Sequence, residues 1–253
     1  MERFDELVRV MARLRSPDGC PWDREQTHRS LRPYMLEEVY EALEAVEEED
    51  WSRLADELGD VLLQVVFHAQ LASERGDFDI EDVCGHIVTK LKRRHPHVFA
   101  DSIADTPDEV IDRWEKLKRE EEGYQDRESA VDGIPASLPA LQRAYKLQKR
   151  ASRVGFDLDD VSGPRAKVAE ELQEVDEADA DSVEDEIGDL LFAVVNLARF
   201  LNVEPEGALR RANERFSSRF RSVEQGAGTP ERLREMSLEE MDELWERAKA
   251  EEA

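Results

Sequence analysis

Phe4, Leu7, Val8, Met11 and Leu14 recur at helical spacing and predict a first helix to about Arg15. SPDGCPWD then interrupts the pattern with two prolines and a glycine. Pro33 suits the opening of the next helix, where its missing N–H lies among donors that have no intrahelical partner. From there Leu36, Val39, Leu43 and Val46 form an apolar stripe, with Glu37, Glu38, Glu41 and Glu44 on the other sides. This is an amphipathic helix with a carboxylate flank. After an EED break, a helix is predicted from Trp51 to about Glu74. Its VLLQVVFHAQLA portion is apolar on nearly every side, as expected at the centre of a bundle or in a dimer interface.

ERGDFD reads as a turn, and Ile80 to about Arg94 as a further helix ending in KLKRRHPHVF. Thr106 is placed to cap another helix, with Pro107 at its first position and Trp114 and Lys118 within it. Residues 123–140 are rich in Gly, Pro, Ser and Asp and read as a linker. Beyond them come the basic helical segment LQRAYKLQKRASRV, a GFDLDDVSGP loop and a new helix from near Pro164. No strand-like alternation stands out, so the expected class is all-α.

The second half repeats the first. Glu170, Glu171 and Glu174 have the spacing of Glu37, Glu38 and Glu41, and Glu186/Asp189 that of Glu57/Asp60. Each second pair leads into a heavily apolar helix, and the interval between the pairs is shorter in the second copy. Trp114-x-x-x-Lys118 and Trp245-x-x-x-Lys249 close the two halves at nearly the same distance from the carboxylates. Solvated acidic faces would not preserve this order. The expected organisation is an N-terminal module over 1–122, a linker over 123–140 and a C-terminal module over 141–253.

Composition narrows the partners. Among 253 residues, 35 Lys and Arg face 61 Asp and Glu, a formal charge of −26. Such a surface argues against nucleic acid or anionic membranes as partners, but it admits a small anion received by metal ions and a local basic cluster. The two cysteines, Cys20 and Cys84, form no CxxC pair and suit a reducing compartment. The charged first helix lacks the apolar core of a signal peptide, and no apolar run is long enough to span a bilayer. A soluble, cytoplasmic protein is expected.

Residues three and four apart share a helix face, so Glu38/Glu41 and Glu57/Asp60 each present two carboxylates in one direction. Two such helices packed antiparallel would converge four carboxylates, the donor set of a hard cation such as Mg²⁺. Glu171, Glu174, Glu186 and Asp189 form the matching set. The second half adds Lys167 one turn before Glu171, and Arg215 and Arg219 on one face of a later helix. Carboxylates gather Mg²⁺, Mg²⁺ binds phosphate oxygens, and Arg and Lys neutralise the remaining charge. The set suits attack on a phosphoanhydride. Glu170, with its counterpart Glu37, or Glu171 is a candidate general base. Trp245 and Lys249 could form the base and phosphate ends of a nucleotide pocket, although a tryptophan at helical spacing equally suits a core. There is no Walker A loop and no GxGxxG. Glu25-x-x-His28 matches half of a di-iron motif, but the second half supplies no other.

At GCPWDREQTHRSL, LEEVYE, ELGDVLLQVVFHA, KLKRRHPHVF, KLQKRASRVGFD, EDEIGDLLFAVVNLAR and ANERFSSRF the chain resembles the MazG family of nucleoside triphosphate pyrophosphohydrolases in its two-module form. The resemblance runs over essentially the whole length. It implies two repeated MazG-type four-helix modules acting as a homodimer, and Mg²⁺-dependent hydrolysis of NTPs or dNTPs to monophosphate and pyrophosphate, with Mn²⁺ a substitute metal. It further implies metal ligation by Glu171, Glu174, Glu186 and Asp189, with Glu38, Glu41, Glu57 and Asp60 the matching set. Nucleotide contacts would come from Lys167, Arg215, Arg219, Trp245 and Lys249. Arg215 departs from the family pattern, where lysine is common, and this changes the phosphate geometry. Tyr34 stands where the second module has Lys167, so the second module is expected to carry most of the hydrolysis. A dUTPase- or dCTPase-like enzyme of narrow base choice and a non-catalytic acidic scaffold are the alternatives.

Overall fold

Among the residues described by the computed structural model, 2–100, 106, 110, 117 and 129–251, every regular element is a helix. The all-α class expected from the periodicity is the class the chain adopts. Two units follow one another, Met1–Gln125 and Asp126–Ala253.

In the first unit, α1 (Glu2–Arg15) lies on the long α4 (Trp51–Arg75), and α3 (Arg32–Glu47) pairs with α4 as a helical hairpin. Met11, Leu31, Val66, Phe67 and Leu71 form the buried core, with Phe4, Leu7, Val8, Leu14, Leu63 and Ile80 packed around it. The CPWD stretch, expected as a loop, contains the short α2 (Pro21–Glu25), with Pro21 in its first turn. Arg15 fastens it: the guanidinium donates to the Asp23 and Gln26 carbonyls and forks onto both Glu74 oxygens at 2.7 Å. Asp50 caps α4 by accepting from the Ser52 and Arg53 N–H groups, and Gly76, at φ 74°, ends it in the left-handed region that glycine adopts without strain. A capping box of Asp79 and Asp82 opens α5 (Ile80–Arg94), and α6 (Pro96–Phe99) follows. The helix expected from Thr106, with Trp114 and Lys118, lies outside the described residues apart from isolated positions.

On α3 the buried residues are Ala42 and Ala45, whereas Leu36, Val39, Leu43 and Val46 are exposed. Two small residues let α3 approach α4 closely, which leaves the bulky stripe facing away.

In the second unit, turns from 129 to 139 lead into α7 (Ala140–Ser152). The hairpin of α8 (Ser162–Glu177) and α9 (Val183–Phe200) repeats the α3–α4 arrangement, and α7 packs on α9. The long α10 (Pro205–Ala227) packs on α7 and on α12 (Leu238–Glu251), with α11 (Pro230–Glu235) between them in sequence. Val195, Val223, Ala227 and Ala248 are buried. Among the described residues no helix is long and apolar enough to cross a membrane.

Candidate functional site

Each hairpin brings its carboxylates together. In the first unit, oxygens of Glu38 and Glu41 on α3 and Glu57 on α4 all lie within 4.8 Å of one another; in the second, those of Glu171 and Glu174 on α8 and Glu186 on α9 do the same. Asp60 and Asp189, one turn beyond, lie outside these tightest triads and reach the sites in other ways. After burial itself, Asp60 is the strongest of the charges that raise the Glu38 carboxyl. Asp189 lines a pocket of about 320 Å³ with Gln148, Lys167, Glu171, Phe192, Ala193 and Asn196.

In the first unit the carboxylates outweigh Arg53, which touches the triad at Glu57. Glu38 and Glu41 are both pushed up from the ordinary glutamate value, first by desolvation and then by neighbouring carboxylates. In the second unit Lys167 sets two adjacent glutamates apart. Its ammonium lies 2.6 Å from Glu171 Oε1 and 2.9 Å from Glu170 Oε1. This contact holds Glu171 below the usual value, while the Glu171 carboxylate pushes Glu174 up. Opposite shifts on two glutamates sharing a helix face mark a place prepared for charge.

Whether a divalent ion fits can be judged from the donors. Glu171 is buried at 5% exposure, and its Oε2 has no hydrogen-bond partner. A buried, unpaired carboxylate oxygen is costly unless a cation receives it. Three convergent carboxylates, one of them carrying such an oxygen, are the donor set of Mg²⁺ or Mn²⁺. The residues fit.

The remaining expected residues form a second cluster. Arg219 on α10 lies over the Trp245 ring of α12, its guanidinium carbon 5.8 Å from the centroid. Phe216 packs on the same indole at 5.2 Å and stacks with Phe220 at 6.0 Å. Arg215 is exposed on α10, and Lys249 on α12 pairs with Glu246 at 2.8 Å. This cluster does not line the Glu171 pocket. The chain therefore joins Lys167 to the carboxylates and Arg219 to Trp245, but keeps the two groups on separate helix pairs.

Two side chains at the sites were not singled out from the sequence. Gln148 is buried on α7, donates to the Phe192 carbonyl at 2.8 Å, and has an unpartnered Oε1 beside the pocket. Nothing in KLQKRAS distinguishes this glutamine from a surface one. Arg53 contacts Glu44, Glu48 and Glu57; its position four residues before Glu57 on one helix was the available signal.

The model of the MazG nucleotide pyrophosphohydrolase domain matches residues 26–99 and 165–223. A nucleoside triphosphate pyrophosphohydrolase of Escherichia coli (strain K12) is 50% identical over 260 aligned residues, covering 100% of this chain and 99% of that protein. The nucleoside triphosphate pyrophosphohydrolase/pyrophosphatase MazG of Thermotoga maritima is 50% identical over 248, covering 97% and 95%. Among solved structures, a mazG-related protein from Thermotoga maritima matches 47% of this chain and 99% of its own, at 27% identity and a TM-score of 0.39.

Proposed function

The chain belongs to the MazG nucleotide pyrophosphohydrolase family and is a hydrolase acting on nucleoside triphosphates, and on that premise we propose that it cleaves NTPs and dNTPs between the α and β phosphates in a Mg²⁺-dependent reaction. The products are a nucleoside monophosphate and pyrophosphate. The observation that supports the metal dependence is that Glu171, a member of the Glu171–Glu174–Glu186 triad, is buried and has an unpartnered Oε2.

Glu171, Glu174, Glu186 and Asp189 would hold the ion, or Mn²⁺ in its place. When bound, it supplies charge neutralisation to the phosphates and acidifies the attacking water. Lys167 is held beside the triad by Glu170 and Glu171, and its flexible stem allows the ammonium to turn from them to a substrate phosphate. Glu170 remains exposed next to it, free of the triad and placed to accept a proton, with Glu171 the other candidate base. Trp245 and Arg219 offer a stacked platform for a base, and Arg215 and Lys249 add positive charge on the same helices. The pocket by the triad and this platform occupy different helix pairs, which supports a site completed by a second copy of the chain, hence a homodimer. Two modules, 1–122 and 141–253, joined by 123–140, act within each copy in the cytoplasm. The Glu38–Glu41–Glu57 triad, with Asp60, forms the corresponding N-terminal metal site, where Tyr34 replaces Lys167.

The test is a panel of NTPs and dNTPs incubated with Mg²⁺ and analysed for monophosphate, pyrophosphate and orthophosphate. Pyrophosphate with monophosphate is expected, and orthophosphate release would contradict α–β cleavage. Glu171→Gln with Glu174→Gln is expected to lower the rate at least about a hundredfold, since even outer-shell changes at metal sites cost 10- to 100-fold. Glu38→Gln with Glu41→Gln is expected to cost less. Equal loss from both pairs would overturn the assignment of most activity to the second unit.

A further inference from the structure

The two carboxylate triads differ in where each keeps its internal cation. In the second unit the cation is Lys167, on the same helix as the two glutamates it touches. The first turn of α9, which carries Glu186, contains only acidic charges, Glu184, Asp185 and Glu186. In the first unit Tyr34 occupies the position matching Lys167. A cation enters instead from the opposite side, at Arg53 in the first turn of α4.

Arg53 is held more firmly than Lys167. The Asp50 cap fixes its backbone, accepting from the Ser52 and Arg53 N–H groups at 3.1 and 3.0 Å. Its three guanidinium nitrogens each face a different carboxylate: Nη1 meets Glu48 at 2.8 Å, Nη2 meets Glu44, and Nε meets Glu57 Oε1 at 3.3 Å. Glu44 belongs to α3, Glu48 caps its C-terminus, and Glu57 is on α4. A planar fork tied to three partners across a hairpin does not swing away as a single ammonium can. Of those partners, only Glu57 belongs to the triad.

We propose that Arg53 is a built-in counter-cation of the N-terminal triad, which engages Glu57 and so lowers the affinity of the Glu38–Glu41–Glu57 cluster for a divalent ion. The proposal rests on the reading of that triad as a metal site. A fixed positive charge beside one of three ligands opposes an incoming dication directly and also withdraws an oxygen from it. In the second unit the charges in the first turn of the Glu186 helix are all acidic, and Glu171 keeps Oε2 without a hydrogen-bond partner despite Lys167. Arg53 thereby acts as a specificity-determining residue that makes the two units unequal in metal occupancy.

The experiment is a Mn²⁺ titration followed by electron paramagnetic resonance, on the full chain with Glu171→Gln and Glu174→Gln to silence the second triad. Arg53→Gln is expected to tighten Mn²⁺ binding about tenfold, the scale of removing one nearby charge at a partly exposed site. The gain is expected to vanish when Glu57→Gln is added, because the cycle isolates the Arg53–Glu57 coupling. Arg53→Lys, which keeps the charge and loses the fork, is expected to fall between; it also reads the effect if Arg53→Gln does not fold by circular dichroism. Unchanged or weaker binding without Arg53, or a gain that survives Glu57→Gln, overturns the proposal. If no variant binds Mn²⁺ while the unmodified chain does, the metal reading of the N-terminal triad fails, and the role of Arg53 with it.

Discussion

Arg15 shows how much one side chain can carry. Its side chain is 8% exposed, and its guanidinium forks onto Glu74, reaches the Asp23 and Gln26 carbonyls and lies over the Phe67 ring at 5.7 Å. Arg15→Ala would leave Glu74 with Gln70 alone and no charged partner, and would take this donor from the Gln26 carbonyl. The expected loss is about 3 kcal/mol, the low end for breaking a buried pair, because Glu74 stays partly hydrated; urea denaturation measures it. Arg15 also holds the Glu74 carboxyl below its ordinary value. A depressed carboxylate contributes stability that is present above the unfolded value near 4.5 and lost as pH falls through the lower folded one. The same variant should therefore flatten the acid limb of the stability curve. The sequence shows Arg15 only as the basic end of a helix. Its partner Glu74 is far along the chain, and that contact was not legible. The acidic residues of the triads were legible, because each pair lies one turn apart on a single helix, where spacing alone decides the face.

At the scale of elements, the passage from α1 into the CPWD segment depends on a close approach. Gly19 N–H donates to Ser16 O at 2.8 Å and Cys20 N–H to Leu14 O at 2.8 Å. A Cβ on Gly19 would fall 2.1 Å from the Leu14 carbonyl oxygen and 2.5 Å from that of Arg13. These are backbone atoms that cannot rotate aside. Gly19→Ala is expected to destabilise the fold by at least about 2 kcal/mol, the scale of overpacking, read by thermal unfolding. The following segment docks on α4 through His28 and His68, whose rings stack at 5.1 Å with Nδ1 atoms 2.8 Å apart. One nitrogen must donate and the other accept, so both rings cannot be charged and keep this bond. Burial, and then His28, lower the His68 value. The associated stability is full above the ordinary histidine value near 6.5 and is lost as pH falls through the lower folded one. Arg15, Arg29, Glu74 and Arg75 line the pocket beside His28. His68→Gln is expected to remove most of the pH dependence between 7 and 5 on this account, roughly the range of imidazole titration, in unfolding curves taken across that interval. Helix limits were largely readable from Pro, Gly and the apolar period. The docking of QTHRSL was not, since a polar stretch without period names no partner.

For the whole molecule, the exposed apolar stripes of the carboxylate helices bear on assembly. Leu36, Leu43 and Val46 on α3, and Leu172, Ile187 and Leu191 on α8 and α9, are all exposed. Large apolar residues repeated along one helix face mark an interaction surface rather than scattered surface positions. The proposed homodimer gives them a partner of the same kind. Leu36→Glu with Leu43→Glu is expected to shift the protein towards monomer in sedimentation velocity. If the assembly completes the nucleotide site, turnover should fall with it. An unchanged sedimentation coefficient would place the dimer contact elsewhere.

By itself the sequence determined the helical class, the repeat, the carboxylate pairs and the family, because all of these are written in spacing along the chain. It also showed the α3 stripe, but not its direction. A helix with apolar residues on one side and alanines on another can bury either face, and close approach of α3 to α4 favoured Ala42 and Ala45. Only the tertiary structure decided that Arg53 also reaches Glu44 and Glu48 across the hairpin, that Gln148 stands beside Glu171, and that Arg219 finds Trp245. Local periodicity specifies which residues of one helix are neighbours. Which helix they meet is settled by packing, where side-chain volume and the pairing of buried charge select among faces that look alike in sequence.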